Sequence, residues 1–392
     1  MKHVPVPVRE ARFAPTALML GNVVIACSVM APAGMLVELS SGLDVSIRTA
    51  GLLITFGAIV LCIGSPVTAW LTSRIERRAL LMASMAVVAA ASFASALAPG
   101  YASLLAVRLL MLAVGVIYTP QAAGTAALIV PEQRRGSTIA YVFLGWSLAA
   151  AVGLPAITFI ASRYGWQAVH VVIGTMGCLS VLLLAWRLPR GLVGTPVDLK
   201  TWAAIGRNPT ILLLLLITTL QMSGQFVVFT YMGPLLARLT GAGPDAIALV
   251  FAIYGVCGVT GAAIATRIVD SWGAWKTSLL LMSVLLAGLA GWALSAGFYP
   301  LMAAAVAVWG IGFASTNSLQ QVRLVAAAPS LASASVSLNT SVLYVGQAIG
   351  SAIGGFLYAR DLIYAFGYVA TALVALAVIT VIVTKPGKGQ GA

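Results

Sequence analysis

Nine carboxylates, two histidines and four cysteines are the side chains best suited to acid–base work near neutral pH and to metal binding, and their spacing decides what chemistry of that kind is open to the chain. His3 and His170 lie 167 positions apart and no H-E-x-x-H occurs, which argues against a membrane-embedded enzyme. Cys27, Cys62, Cys178 and Cys257 sit inside apolar runs without C-x-x-C spacing and read as buried small hydrophobes. No metal or cofactor is expected. The acids, Glu10, Glu38, Asp44, Glu76, Glu132, Asp198, Asp245, Asp270 and Asp361, all fall in loops or at the ends of apolar runs. Arg108 does not: it lies inside "YASLLAVRLLMLAVGV", about seven residues from Tyr101, or roughly 10 Å deep at the helical rise. A guanidinium cannot shed its charge there, so it must snorkel, bond helix carbonyls, pair, or face a water-filled path.

The elements that hold these residues are set by composition. With 61% hydrophobic and 8% charged residues, 392 residues cannot clothe a soluble globule. Apolar runs of about 20 residues recur, each long enough to cross a hydrocarbon core as a helix. A β-barrel would need short alternating segments, which are absent from the pattern. Twelve spans are predicted, near 15–38, 48–72, 79–98, 102–130, 137–161, 167–187, 209–236, 246–268, 277–297, 300–326, 333–358 and 362–384. The first run, Pro15 to Leu39 behind Lys2, Arg9 and Arg12, is too long for a signal-peptide core and reads as a retained span.

Charge sets the orientation. With the N-terminus inside, 17 of the 22 basic residues fall in inner segments; Arg48, Arg163, Arg238 and Arg360 fall outside, and Arg108 lies in a span. The positive-inside rule then predicts a multi-pass protein of the cell (inner or plasma) membrane with both termini cytoplasmic. The same distribution accounts for the net charge of +13 without invoking nucleic acid.

An internal repeat appears at an offset of 197 residues: "VGVIYT" at Val114 falls on "IGFAST" at Ile311, Gly153 on Gly350, and Ser73 on Asp270. The expected organisation is a six-helix half over residues 1–187, a linker over 188–208 containing Pro189, Gly191, Gly194 and Pro196, and a second six-helix half over 209–392.

"GSPVTAWLTSRIERR", "PEQRRGSTIAYVFLGWSLAAAVGLP" and "SVSLNTSVLYVGQAIGSAIGGFLYA", with the helix around Arg108, together resemble the major facilitator superfamily, in its drug/proton antiporter and sugar-efflux branch. The resemblance implies an all-α membrane fold of two pseudo-symmetric halves and secondary transport by alternating access, coupled to protons and directed outward. It implies that Arg108 acts in proton coupling or substrate binding; the alternative is a structural arginine bonding helix carbonyls. Glu38, the acid nearest the membrane, could pair with Arg108 if their helices adjoin, or remain a headgroup-level carboxylate. In the family the loop of Gly64, Ser73, Arg74, Arg77 and Arg78 pairs with the loop after span 4, and Glu132 is the available acid. Gly153-Leu154-Pro155 stands where the antiporter motif reads Gly-Pro. The second copy keeps an acid, Asp270, between Arg267 and Gly273, where the first has Ser73. Asp270→Asn is therefore expected to reduce transport more than Ser73→Ala; equal losses at matched expression contradict that division.

Polar side chains inside spans cost free energy unless they face a partner or a cavity, so they mark a candidate path. These are Asn22, Tyr118, Thr119, Gln121, Gln221, Gln225, Asn317, Gln320, Gln321, Asn339 and Gln347. Singly each reads as a helix–helix hydrogen bond. Jointly they suit a small neutral or amphiphilic substrate, of drug, sugar or nucleoside class, carried by a monomer in the bilayer. An uptake permease, a membrane enzyme and a receptor or scaffold are the competing readings.

Overall fold

The computed structural model describes residues 13–72, 75–131, 134–193, 205–328 and 332–385, and within them twelve helical stretches are long and apolar enough to cross a membrane. The first half contains α1 (Ala14–Gly34), α2 (Leu36–Gly42), α3 (Ile47–Leu71), α4 (Arg77–Ala96), α5 (Tyr101–Gly115), α6 (Tyr118–Leu128), α7 (Arg135–Leu148), α8 (Leu154–Tyr164) and α9 (Trp166–Arg187). The second contains α10 (Pro209–Phe229), α11 (Met232–Thr240), α12 (Pro244–Trp272), α13 (Ala274–Leu294), α14 (Tyr299–Ala327), α15 (Ala332–Ala359) and α16 (Ala365–Val383).

Four expected spans are broken; the seventh divides at Thr230–Tyr231 into α10 and α11. Span 1 stops at Gly34, four residues short of its expected end at Glu38, because Pro32 cannot donate to the carbonyl four residues back, and the chain turns at Met35 before α2. Glu38 is thereby carried off the spanning helix. Span 4 divides at Val116–Ile117 into α5 and α6. Span 5 holds a π-helical turn, Ala149–Gly153, separated from Pro155 by one residue; the wider turn absorbs the backbone bond that the proline cannot make. At Gly153 an added Cβ would lie 2.6 Å from Cys27 Sγ, so that turn is pressed against α1.

Small residues set how close the helices come. Gly145 faces Met19 O at 2.5 Å from an ideal Cβ, Gly346 faces Thr219 O at 2.6 Å and Gly350 faces Ser223 O at 2.2 Å. These clamp α7 on α1 and α15 on α10 at distances only glycine permits.

The halves meet through two helix pairs: α3 lies along α15, and α12 lies on the π turn and α8, with α11 reaching α2. The specific contacts gather toward one end. Thr55 Oγ1 donates to Ser351 Oγ at 3.0 Å, Arg163 pairs with Asp245 at 3.6 Å, and Gly255 presses on Ala150 and Ala151. Tyr231, at the break between α10 and α11, wedges its ring into the same crossing, its hydroxyl donating to Ser351 O at 3.3 Å and lying 2.2 Å from where a Cβ on Gly51 would stand. We call this the seam end. The opposite, basic end carries Arg77, Arg78, Arg187, Arg267 and Arg323.

Candidate functional site

Arg108 is 3% exposed, and its partners are carbonyls. Nε donates to Leu53 O at 3.1 Å, Nη1 to Ser28 O at 3.0 Å and Nη2 to Val29 O at 3.0 Å. Ser28 O is the acceptor that Pro32, four residues on, leaves without a helical donor. Gly57 leaves room for the guanidinium, with Nε and Nη2 3.8 and 3.9 Å from an ideal Cβ. One side chain thus ties span 4 to the kink of span 1 and to span 2. This is the carbonyl-bonding arrangement weighed above as the alternative to a coupling role. The Arg108–Glu38 ion pair, open to the chain if their helices adjoin, is not formed among the described residues: all three acceptors are backbone oxygens, and Glu38 lies beyond the Met35 turn. His170 is buried beside Trp166, their rings 5.9 Å apart edge to face.

The interior amides form two related networks. In the first half Asn22 Nδ2 donates to Val142 O at 3.0 Å and Thr119 Oγ1 donates to Asn22 Oδ1 at 2.8 Å. Trp146 Nε1 donates to Thr119 Oγ1 at 3.4 Å. Tyr118 donates to Leu18 O at 3.3 Å, and Gln121 Nε2 to Thr72 Oγ1 at 3.1 Å. In the second half Gln221 Nε2 donates to Thr316 Oγ1 at 3.0 Å, Thr218 Oγ1 donates to Asn339 Oδ1 at 2.7 Å, and Asn339 Nδ2 donates to Asn317 Oδ1 at 2.9 Å. Thr119 and Thr316 are 197 positions apart, as are Val142 and Asn339. In each half, therefore, the first span bonds to the same two positions, one on its fourth span and one on its fifth.

The copies differ in chemistry. The first half closes its network with a backbone carbonyl and an indole. The second uses side-chain amides, and Gln221 Oε1 is buried without a hydrogen-bond partner. Gln225 is bound elsewhere: its Oε1 accepts from Trp309 Nε1 at 3.0 Å, inside an aromatic cluster with Phe229 and Tyr254. Gln321 is half-buried, and Gln320 donates to Ser278 at 2.9 Å. Thr218, Thr316 and Trp309 complete this network without standing among the polar residues singled out from sequence. The repeat offset that sets Thr119 on Thr316 was the signal for one of them.

At the basic end Arg77 is buried, with Nε and Nη1 unpartnered, while its backbone N–H donates to Leu192 O at 2.8 Å. Arg78 donates to Ala185 O, and Glu76 Oε1 accepts from Gly191 N at 2.8 Å. The loop after span 2 is thus fastened to the chain leaving span 6. Ser73, Arg74 and Glu132 lie outside the described residues, as does the side chain of Asp270, so the expected pairing of Glu132 has no described counterpart. Arg267 is exposed on α12; Gly273, at φ 79° and ψ 155°, ends that helix in a conformation that favours glycine. Gly64 faces Val116 at 3.1 Å from an ideal Cβ.

Twelve candidate membrane spans with hydrogen-bonding groups inside each half give the architecture of a multi-span membrane protein, and the family match makes it a transporter and not an enzyme. The family model described as Major Facilitator Superfamily matches residues 18–351, and the chain belongs to that superfamily. It is 31% identical over 371 residues to the inner membrane transport protein YdhP of Escherichia coli K12, covering 92% of each chain. It is 25% identical to a probable sugar efflux transporter of Mannheimia succiniciproducens, covering 89% and 87%, and 27% identical to the chloramphenicol efflux pump Rv0191 of Mycobacterium tuberculosis, covering 84% and 82%. The crystal structure of a D-xylose-proton symporter shares the fold, with a TM-score of 0.76 at 15% identity over 97% of this chain and 100% of that one.

Proposed function

We propose that the protein exports a small neutral or amphiphilic solute, coupled to proton entry, by rocking residues 1–187 against residues 209–392 as a monomer. Both termini lie in the cytoplasm in this reading, so the seam end faces outward and the solute enters from the basic end. The observation that carries it is the pair of 197-offset polar networks. They put matching hydrogen-bonding sites on spans 1, 4 and 5 and on spans 7, 10 and 11, as alternating access around a midplane site requires. Asn22, Thr119, Gln221, Asn317 and Asn339 are the proposed contacts, and Tyr118, Gln121, Gln225 and Gln321 support them. Efflux is favoured by the relatives named for sugar and chloramphenicol efflux.

Removing polar contacts should act unequally. Gln221→Leu, which deletes the bare acceptor Oε1 and the donor to Thr316, is expected to raise the half-saturating solute concentration by about tenfold, the worth of one well-made hydrogen bond to a buried group. Gln225→Leu, whose acceptor is taken up by Trp309, should change it about twofold or less. The measurement is solute resistance and transport in a strain lacking its own exporters, screened with drugs, sugars, nucleosides and amino-acid analogues. Equal effects of the two substitutions would remove Gln221 from the path.

A further inference from the structure

We propose that Glu38 is a pH-sensitive latch on the seam between the halves: its acid form lets the seam close and its carboxylate form holds the seam open. This rests on the rocking motion proposed above but assigns it a control that the motion itself does not require.

Glu38 stands on α2, just past the turn at Met35, and is half-buried. It lines a cavity of about 140 Å³ that bridges the two halves, with Gly34 and Thr158 on one wall and Pro234, Ala237 and Ile247 on the other. Thr158 is not available to solvate it, since its hydroxyl donates to Gly34 O at 2.8 Å. The remaining walls are aliphatic. A carboxylate in such a place needs a cation or water, and among the described residues no cation forms an ion pair with it.

The elements packed around α2 carry few charges. α1 contributes no ionisable group except Cys27, which is buried in its middle. α3 brings Arg48, whose Cγ lies 3.6 Å from an ideal Cβ on Gly355. α9 brings the buried His170, α11 brings Arg238, and Asp44 follows α2 itself. Arg238 pairs with Asp361 at 2.6 Å, and across the cavity Arg163 on α8 pairs with Asp245 on α12 at 3.6 Å. Among the described residues no ion pair reaches Glu38.

Burial raises the Glu38 carboxyl above its ordinary value, opposed in part by a hydrogen bond from its own backbone. The sign of the linkage follows. Closing the seam deepens the burial, so the closed form binds the proton more tightly than an opened, hydrated form. Closure is therefore favoured at low pH, and this advantage is lost as pH rises through the raised value. With the seam facing outward, an acidic exterior would help close the empty carrier after solute has left.

The test uses spin labels at Leu97 and Leu294, which are 197 positions apart, 83% and 79% exposed, and at the seam-end termini of α4 and α13. In a background with the four cysteines replaced, pulsed dipolar spectroscopy from about pH 5 to about pH 8 should show the longer-separation population growing with pH. Glu38→Gln should abolish that response and leave the seam closed, and Glu38→Asp should keep a response displaced in pH. Asp44→Asn, which neutralises an exposed carboxylate six residues on and outside the cavity, should keep the wild-type response. A wild-type distribution indifferent to pH, or a Glu38→Gln variant with an unchanged response, overturns the latch. Solute transport by the same preparations separates the two failures: a working exporter whose seam ignores pH refutes the latch alone.

Discussion

Gly255→Val is expected to lower transport by about tenfold or more while leaving the protein folded. Gly255 on α12 crosses the π turn of the other half, and a Cβ there would stand 2.2 Å from Ala151 Cα and 2.4 Å from Ala150 C and O. Backbone atoms cannot swing aside as a side chain tip can, so the wedge must be relieved by separating the halves. Each half keeps its own core, because the nearest atoms the new side chain meets belong to the other half. Overpacking of this kind costs about 1–3 kcal/mol, enough to shift a balanced two-state carrier toward the form in which the seam is open. Gly261→Ala provides the contrast. It sits six residues further along the same helix, but its Cβ would meet Ile311 O at 1.9 Å inside the second half. That substitution should lower thermal stability in detergent and leave the balance of forms in the surviving protein unchanged. The Leu97–Leu294 separation and a melting curve, measured on both variants, check the division. A Gly255→Val protein that transports normally, or that melts like Gly261→Ala, contradicts it.

Arg108→Met is expected to cost stability, and Arg108→Lys nearly as much. Methionine leaves Ser28 O with neither a helical donor nor the guanidinium, and a buried acceptor without a partner costs about 1–3 kcal/mol. Lysine restores charge but not the planar fork that reaches Leu53 O, Ser28 O and Val29 O together. Transport should fall in proportion to the folded protein remaining. A coupling role predicts otherwise: both variants would melt like the wild type, and proton-driven accumulation would fail while downhill solute exchange persisted. Adding Pro32→Ala, which returns a backbone donor to Ser28 O, should recover part of the stability lost in Arg108→Met. No recovery would mean that the carbonyl clasp is not what Arg108 supplies.

Much of the architecture was legible because a bilayer leaves few choices. An apolar run of sufficient length must be a helix, and the twelve runs read from sequence are the twelve spanning helices. The interruptions were harder to read. The hydrophobic pattern runs on past Gly34, so composition gives no sign that Glu38 leaves the first span; Pro32 was the available cue. The partners of Arg108 were illegible for a different reason. They are backbone carbonyls, which every residue carries, so no side-chain type announces them. Of the interior polar residues, Asn22, Gln221, Asn317 and Asn339 were marked by the cost of placing amides in lipid, but that cost cannot tell a path-lining residue from one such as Gln225, tied to Trp309. The seam was the least visible part. Gly51, Tyr231 and Gly255 act only through contacts between residues far apart in the chain, at positions where glycine and tyrosine are unremarkable in a membrane helix.

The central claim, proton-coupled export, is tested most directly in inside-out membrane vesicles from cells carrying the protein, given a solute found by the resistance screen. Accumulation is expected when the vesicle interior is made acidic, and it should collapse on adding a protonophore. Accumulation that survives the protonophore, or that occurs only in right-side-out vesicles, would contradict it.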